Sequence, residues 1–406
     1  MYRLEDYRNI VPDSVLYSIY KKARLLYGTR ILHINSTYQG GGVAVLLDSL
    51  VPLLNEVGTE TGWRILHGNP NFFTITKRFH NTLQGQHSQF TLNDKALYRK
   101  ISEDFSVFTH INHDLVIIHD PQPLPLIQFY KKRQPWIWRC HVDVNVNEGN
   151  HDSIDFLKTF LIKYDRMIVS NKKYILPDFP VDPAIILPAI DPGVLKNMPM
   201  ADRTKIQCLK RFGIPLDKPL VTQVSRFDKW KDPEGVLKVF QKVKEKVDCR
   251  LVLCGSMASD DPEGITIYES IKEKAADLIA SGDVLLITIE NDQLVNSLQS
   301  LSSVILQKSI KEGFGLTIAE SMWKKTPVVA GNVGGIPSQI TDGENGYLVD
   351  PFDIDGCADR VIEILTHKKL AEKLGKNGHA TIKSKFLMTR LLENYLDLII
   401  ETLGLK

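Results

Sequence analysis

Paired cysteines are missing from this chain. Its five cysteines, Cys140, Cys208, Cys249, Cys254 and Cys357, are scattered, odd in number and include no CxxC pair. They argue against a disulfide framework or a structural zinc site and fit a reducing cytoplasm. Cys249 and Cys254 flank the strand-like run RLVL, where packing accounts for them. An excess of charge is missing too. Fifty Lys and Arg against 48 Asp and Glu leave a net charge of +2, which gives no electrostatic case for nucleic acid or an anionic membrane. No apolar run is long enough to span a bilayer. The opening MYRLEDYRNIVPD is charged throughout and lacks the apolar core of a secretory signal. Neither GxGxxG nor a P-loop lysine is present, so the usual dinucleotide and NTPase signatures are absent.

What is present is an alternation of short strands and helices. Apolar runs stand at 29–35, 114–120, 135–141, 165–170 and 184–189, and again at 219–226, 249–255, 283–288, 303–307, 326–331 and 346–349. They do not alternate apolar with polar, which predicts parallel strands buried on both faces by helices. Val43, Leu46, Leu47, Leu50, Val51 and Leu54 share one helical face, with Pro52 expected to kink or shorten that helix. PEGVLKVFQKVKEKV (233–247) repeats the stripe. Length and the two sets of β-α alternation predict an α/β chain of two doubly wound, Rossmann-like domains. The join is expected between the proline-rich PAIDPG (188–193) and GIPLDKP (213–219). The boundaries expected are 1–200, completed by a C-terminal helix within 385–406, and 201–384.

In such sheets ligands sit beyond the carboxyl ends of the strands. The first run leads into Gly40, Gly41 and Gly42 before a helix, which suits a phosphate or diphosphate, against the alternative of a plain flexible turn. The run 135–141 ends in His141, with Asp143 just beyond; either can hydrogen-bond a polar ligand, or be a packed or surface residue. Asp120 and Gln122 end the preceding run in a proline-shaped turn, and turn formation is the plainer reading of both. Arg226 and Lys231 follow the run 219–226, where a planar fork and a point charge can neutralise a diphosphate.

KEGFGLTIAE (311–320) follows the run 303–307. Gly313 and Gly315 expose backbone amides, and Phe314, Gly315, Leu316 and Thr317 would aim theirs at an anion. Thr317 as N-cap with Glu320 three residues on has the spacing of a capping box, so Glu320 has a purely structural reading. Glu312 has none except surface exposure. Two phosphate-friendly sites, one in each half, point to a nucleoside diphosphate joined to a polyhydroxylated group.

EGFGLTIAE resembles the E-x7-E motif of retaining nucleotide-sugar glycosyltransferases of the GT-B fold, the family that includes sucrose and sucrose-phosphate synthases. SRFDKWKD resembles that family's diphosphate loop. More narrowly, NSTYQGGGVAVLL, FFTITKRFHNTLQG (72–85), VIIHDPQPLPLI, WIWRCHVD, LPAIDP and the two motifs above are similar to the trehalose glycosyltransferring synthases. The resemblance implies two facing Rossmann-like domains with the active site in the cleft between them. It implies transfer of glucose from ADP-glucose or UDP-glucose to free glucose, giving α,α-trehalose. Gly40, Gly41 and Gly42 would approach the donor diphosphate, and Arg226 and Lys231 would hold it. His141 and Glu312 would contact the transferred sugar. The Phe314–Thr317 amides would grip sugar and phosphate, and Glu320 the ribose. Asp143, Asn145, Asp120 and Gln122 would face the acceptor. In that family the first motif carboxylate binds sugar, and attack comes from the front face, so no covalent glycosyl-enzyme is expected. No metal or other cofactor is expected. The partners implied are the nucleotide sugar and glucose or trehalose, with no nucleic acid and no membrane, and a homodimer is left open. Another acceptor, a non-catalytic nucleotide-sugar-binding protein and a nicotinamide oxidoreductase are the rival readings. The last is opposed by the missing GxGxxG.

Overall fold

A computed structural model of the chain describes residues 3–38, 41–144, 151–175, 181–255 and 262–405. Its contacts divide the chain into two compact units, one running to Ala189 and resuming at Met388, the other spanning Ile190–Leu387.

The first unit holds β1 (Arg30–Asn35), β2 (Glu60–Ile65), β3 (Leu115–His119), β4 (Trp136–Arg139), β5 (Arg166–Val169) and β6 (Asp182–Ile185). They form one sheet in the order β2-β1-β3-β4-β5-β6, every pair parallel. The absence of alternation in the sequence has a direct cause. Successive residues point to opposite faces, and both faces are covered. Leu32, Ile34, Val116, Ile118, Trp136 and Trp138 face one core with Phe72, Phe79 and Tyr98. Ile31, Leu115, Ile117, Ile137 and Ile168 face the other, with Leu47 and Leu50. The closing helix Met388–Thr402 brings Leu391, Leu392, Tyr395, Leu396 and Ile399 into that second core.

The second unit holds β7 (Leu220–Val224), β8 (Arg250–Cys254), β9 (Val284–Ile287), β10 (Val304–Gln307), β11 (Val328–Gly331) and β12 (Tyr347–Val349). Its parallel sheet runs β12-β11-β10-β7-β8-β9. The order is that of a Rossmann sheet. All five cysteines are buried free thiols.

Four local expectations need correction. The helix Gly42–Glu56 is not shortened at Pro52, because Leu50, Leu53 and Leu54 are fully buried around it and outweigh one lost hydrogen bond. β2 was not foreseen; it is an edge strand of mixed polarity, ETGWRI, without an apolar run. β6 begins at Asp182 and ends at Ile185, before much of the apolar run that marked it. The helix Leu316–Trp323 is capped by Gly315, not Thr317, and no side chain caps it. Gly315 takes φ 87°, open to glycine without steric cost, and the helix starts two residues early. Thr317 is then the second helical residue and Glu320 the fifth, so there is no capping box.

Candidate functional site

Each sheet has one point where strand order reverses, between β1 and β3 in the first and between β7 and β10 in the second. The chain leaving these strands carries most of the candidate residues. That placement is where open α/β sheets bind ligands.

In the second unit, β7 leads into Arg226, which is exposed, and a tight turn. Asp228 caps that turn, its Oδ1 accepting from the Trp230 amide at 2.7 Å. Gln223 on β7 donates to the Lys231 carbonyl at 2.8 Å, tying the turn to the sheet. Lys231 Nζ then donates to Glu312 Oε2 across 81 residues of sequence. Cation and carboxylate are both largely buried, at 23% and 11% exposure. Next to them Asp232 adopts φ 47° and caps the helix Pro233–Lys244 through the Gly235 amide at 3.0 Å. Its other oxygen pairs with Lys308, whose side chain is 1% exposed. A Cβ on Gly235 would come 2.0 Å from that Asp232 carboxylate and 2.6 Å from Lys308 Nζ, so the pair demands glycine there. Lys311 lies over the Trp230 ring at 4.4 Å from its centroid.

After Glu312 the backbone is held from behind. Gln339 donates to the Phe314 carbonyl at 2.5 Å, and the Gly335 amide donates to the Glu312 carbonyl at 3.1 Å. The first-turn amides of Leu316–Trp323 follow; that of Ile318 turns back to the Gly315 carbonyl at 3.0 Å, and those of Leu316 and Thr317 stand ahead of it at the helix start. Glu320 lies deeper, 4% exposed. Its Oε2 accepts from Gln299 at 3.1 Å, and Lys196 Nζ stands 3.7 Å from Oε1. Proximity to Glu320 holds Lys196 above its usual range. Burial pushes Lys324 down to about 7, although its ammonium donates to Asn197, Gln299 and the Glu320 carbonyl.

In the first unit, Asn35 ends β1. It accepts from the Trp63 indole at 2.7 Å and donates to the Thr37 carbonyl at 2.5 Å, which directs the chain into the glycine loop. Gly41 is the N-cap of Gly42–Glu56, in extended backbone. Asp120, at φ 62°, accepts from the His141 amide at 2.8 Å and so sets the backbone from which that ring projects. Burial pushes its carboxyl up to about 6. Gln122 lies in the turn that follows β3. Asp143 is buried and accepts from Gln84, the C-cap of the helix Pro70–Leu83. His141, His119 and His33 form a hydrogen-bonded row, with 2.9 Å at each link.

The structure thus brings Lys231 to Glu312 and Asp120 to His141. Gly40 and Asn145 lie outside the described residues. Sequence reasoning missed Lys308 with Asp232, Gln84 with Asp143, and Lys196 with Gln299 around Glu320. Lys308 had a signal, a cation directly after a buried strand. His33 had another, an imidazole inside an apolar strand. Among the described residues no group of three or more His, Cys, Asp or Glu is placed to hold a metal ion. No helix among them is long and apolar enough to cross a membrane.

Two family descriptions match the chain: "Trehalose synthase, N-terminal domain" over residues 33–176 and "Glycosyl transferases group 1" over 206–381. It is 43% identical to a trehalose synthase of Thermococcus litoralis over 98% of this chain and 96% of that protein. It is 39% identical to a trehalose synthase of Rubrobacter xylanophilus over 99% and 97%. In fold it resembles the sucrose-phosphate synthase of Thermosynechococcus elongatus, with a TM-score of 0.73 at 19% identity over 93% of this chain and 99% of the other.

Proposed function

We infer that this chain, which belongs to the trehalose synthase family, transfers glucose from a nucleoside diphosphate glucose to free glucose and so forms trehalose. Its two Rossmann-like units are those of the GT-B fold. The observation that supports the chemistry most is the Lys231–Glu312 pair at the reversal point of the second sheet, followed directly by the Gly315-capped helix. A cation, a carboxylate and a helix N-terminus at one strand end match what a sugar diphosphate presents.

In this reading the residues of 201–384 hold most of the donor, and those of 1–200, with the closing helix, form the acceptor side and complete the donor site through the glycine loop and His141. Breaking the sugar–phosphate bond leaves an oxocarbenium-like sugar and a charged diphosphate. Arg226 and Lys231 meet the developing charge on the diphosphate, and the amides of Phe314, Gly315, Leu316 and Thr317 meet its oxygens. Preorganised donors of this kind do more for the transition state than for the ground state. Glu312 is held in place by Lys231, and its carboxylate contacts the hydroxyls of the transferred glucose. His141 contacts the transferred glucose, and Glu320 the ribose. Asp143, Asp120, Gln122 and Asn145 serve the acceptor side. The leaving phosphate takes the acceptor's proton as the acceptor attacks from the same face, so configuration is retained.

Gly41 offers a clean test of the first-unit loop. A Cβ there meets nothing within 4 Å, and its extended backbone suits any residue. Gly41→Ala should therefore cost less than about 1 kcal/mol of stability. If the loop receives the diphosphate, the same methyl raises the donor KM several-fold. An unchanged KM would remove the glycine loop from the donor site.

The deciding experiment mixes the purified protein with ADP-glucose or UDP-glucose and free glucose, with the product read by NMR. The expected product is a symmetric disaccharide with both anomeric centres α. Donor turnover only with other acceptors would keep the transfer chemistry and overturn free glucose as acceptor. No turnover with any acceptor would favour a binding protein without catalysis.

A further inference from the structure

The three histidines His33, His119 and His141 stand on one face of the first sheet, on β1, on β3 and just after β4. His33 Nδ1 lies 2.9 Å from His119 Nε2, and His119 Nδ1 lies 2.9 Å from His141 Nε2. The rings lie nearly coplanar and meet edge to edge, with centroids 5.2 Å and 5.3 Å apart and 26° and 18° between their planes. His33 and His119 are fully buried, while His141 keeps one edge accessible. The row therefore starts in the core and ends at the partly exposed ring of His141.

Proton counting fixes its direction. Burial depresses all three imidazoles, so each is neutral and carries one N–H. Each of the two links uses one proton. The third must sit at an end of the row, on His33 Nε2 or on His141 Nδ1. His33 Nε2 is buried and has no hydrogen-bond partner among the described residues. A buried N–H without an acceptor is the rarest of orphaned groups, and a bare lone pair is the better tolerated of the two. Arg139, cross-strand neighbour of His119, lies near the row, as do Asp120 and, from the closing helix, Tyr395, while the Arg139 charge acts on Arg390 of that helix. The Arg139 cation disfavours any further positive charge there.

We propose that His33 and His119 are positioning residues which lock His141 in the Nδ1–H tautomer, so that its accessible nitrogen is always a hydrogen-bond donor. His33 Nδ1–H donates to His119 Nε2, and His119 Nδ1–H donates to His141 Nε2. The lone pair of His141 is consumed inside the protein, and its N–H faces out. A fixed neutral donor suits a hydroxyl or ring oxygen of a sugar, and it neither protonates the leaving group nor removes a proton. The proposal rests on the reading that His141 touches the transferred sugar.

The first test needs no variant in the row. Long-range proton–nitrogen correlation on histidine-labelled protein, with the His141 signals assigned by loss in His141→Gln, reads the tautomer directly. Nδ1–H at His141 is expected, and Nε2–H would overturn the proposal. The second test compares His33→Asn, which keeps an amide N–H near the Nδ1 position, with His33→Leu, which keeps none. His33→Leu should show a mixture of His141 tautomers and a kcat lower by about tenfold, the scale of losing a partner that orients a functional imidazole. His33→Asn should restore both. A His33→Leu protein with an unchanged His141 spectrum would overturn the relay. If the tautomer is as expected and shifts with His33, yet His141→Ala keeps full activity, the relay stands and the sugar-contact reading fails instead.

Discussion

Lys231→Ala should lower kcat by about 10²–10³-fold, the loss seen when one preorganised donor to a developing negative charge is removed. Lys231 has two tasks. It supplies a positive charge at the strand end, and it donates to Glu312. Removing it takes away the diphosphate's cation and releases the carboxylate that meets the sugar. Glu312→Gln should be nearly as damaging, since the amide keeps the shape but loses the charge that Lys231 holds. Because the two act as one unit, the double variant should be little worse than either single one. Fully additive losses in kcat/KM would show that the pair acts separately. Arg226→Ala is the companion measurement. Arg226 is exposed, so its removal should leave stability within about 0.5 kcal/mol while activity falls. A stable, fully active Arg226→Ala protein would place the diphosphate elsewhere.

Acid should destabilise this fold through the same buried row of histidines. His33 is pushed down to about 3 by burial, and His119 well below its ordinary value. An unfolded histidine binds its proton near pH 6.5, while these two stay neutral in the folded protein. Below that pH the unfolded state therefore holds more protons, and stability falls as pH falls. Each such group contributes a slope of about 1.4 kcal/mol per pH unit. Asp120, pushed up to about 6, works in the opposite sense between that pH and the ordinary carboxylate range, because there the folded state is the one that holds the extra proton. The difference between proteins isolates the histidine. His33→Asn removes one titrating group, so its urea midpoint should fall less steeply between pH 6.5 and 5 than that of the parent, by about one proton's slope. Parallel pH profiles would mean that His33 is charged in the fold. Lys324, pushed down to about 7, adds a separate trend at the alkaline side. Between that value and its unfolded range the unfolded state again holds more protons, so stability rises with pH there.

The parts of the site that could be read in advance follow strands with local signatures. Glu312, Arg226, Lys231 and His141 all stand just beyond apolar runs, and a strand end is a place that sequence can mark. Their partners are another matter. The Lys231–Glu312 contact joins β7 to β10, which are adjacent only because the strand order reverses between them. The capping box at Thr317 was a valid local pattern that lost to one backbone angle. Gly315 could turn left-handed and start the helix first, which sent Glu320 inward to Gln299.

The amino-acid sequence suffices for the class of fold. Unalternated apolar runs need two covers, and helical stripes between them supply those covers, so parallel sheets follow from periodicity alone. It also determined the types of residue at the strand ends. Packing in space was needed to find the edge strands, because β2 has no apolar run and β6 begins two residues before the run that marks it and ends inside it. Only it decided the histidine row, which joins residues 86 and 22 positions apart through the register of β1, β3 and β4. Hydrophobic periodicity is a property of neighbours in the chain. A hydrogen bond is a property of neighbours in space, and the order of the strands stands between the two.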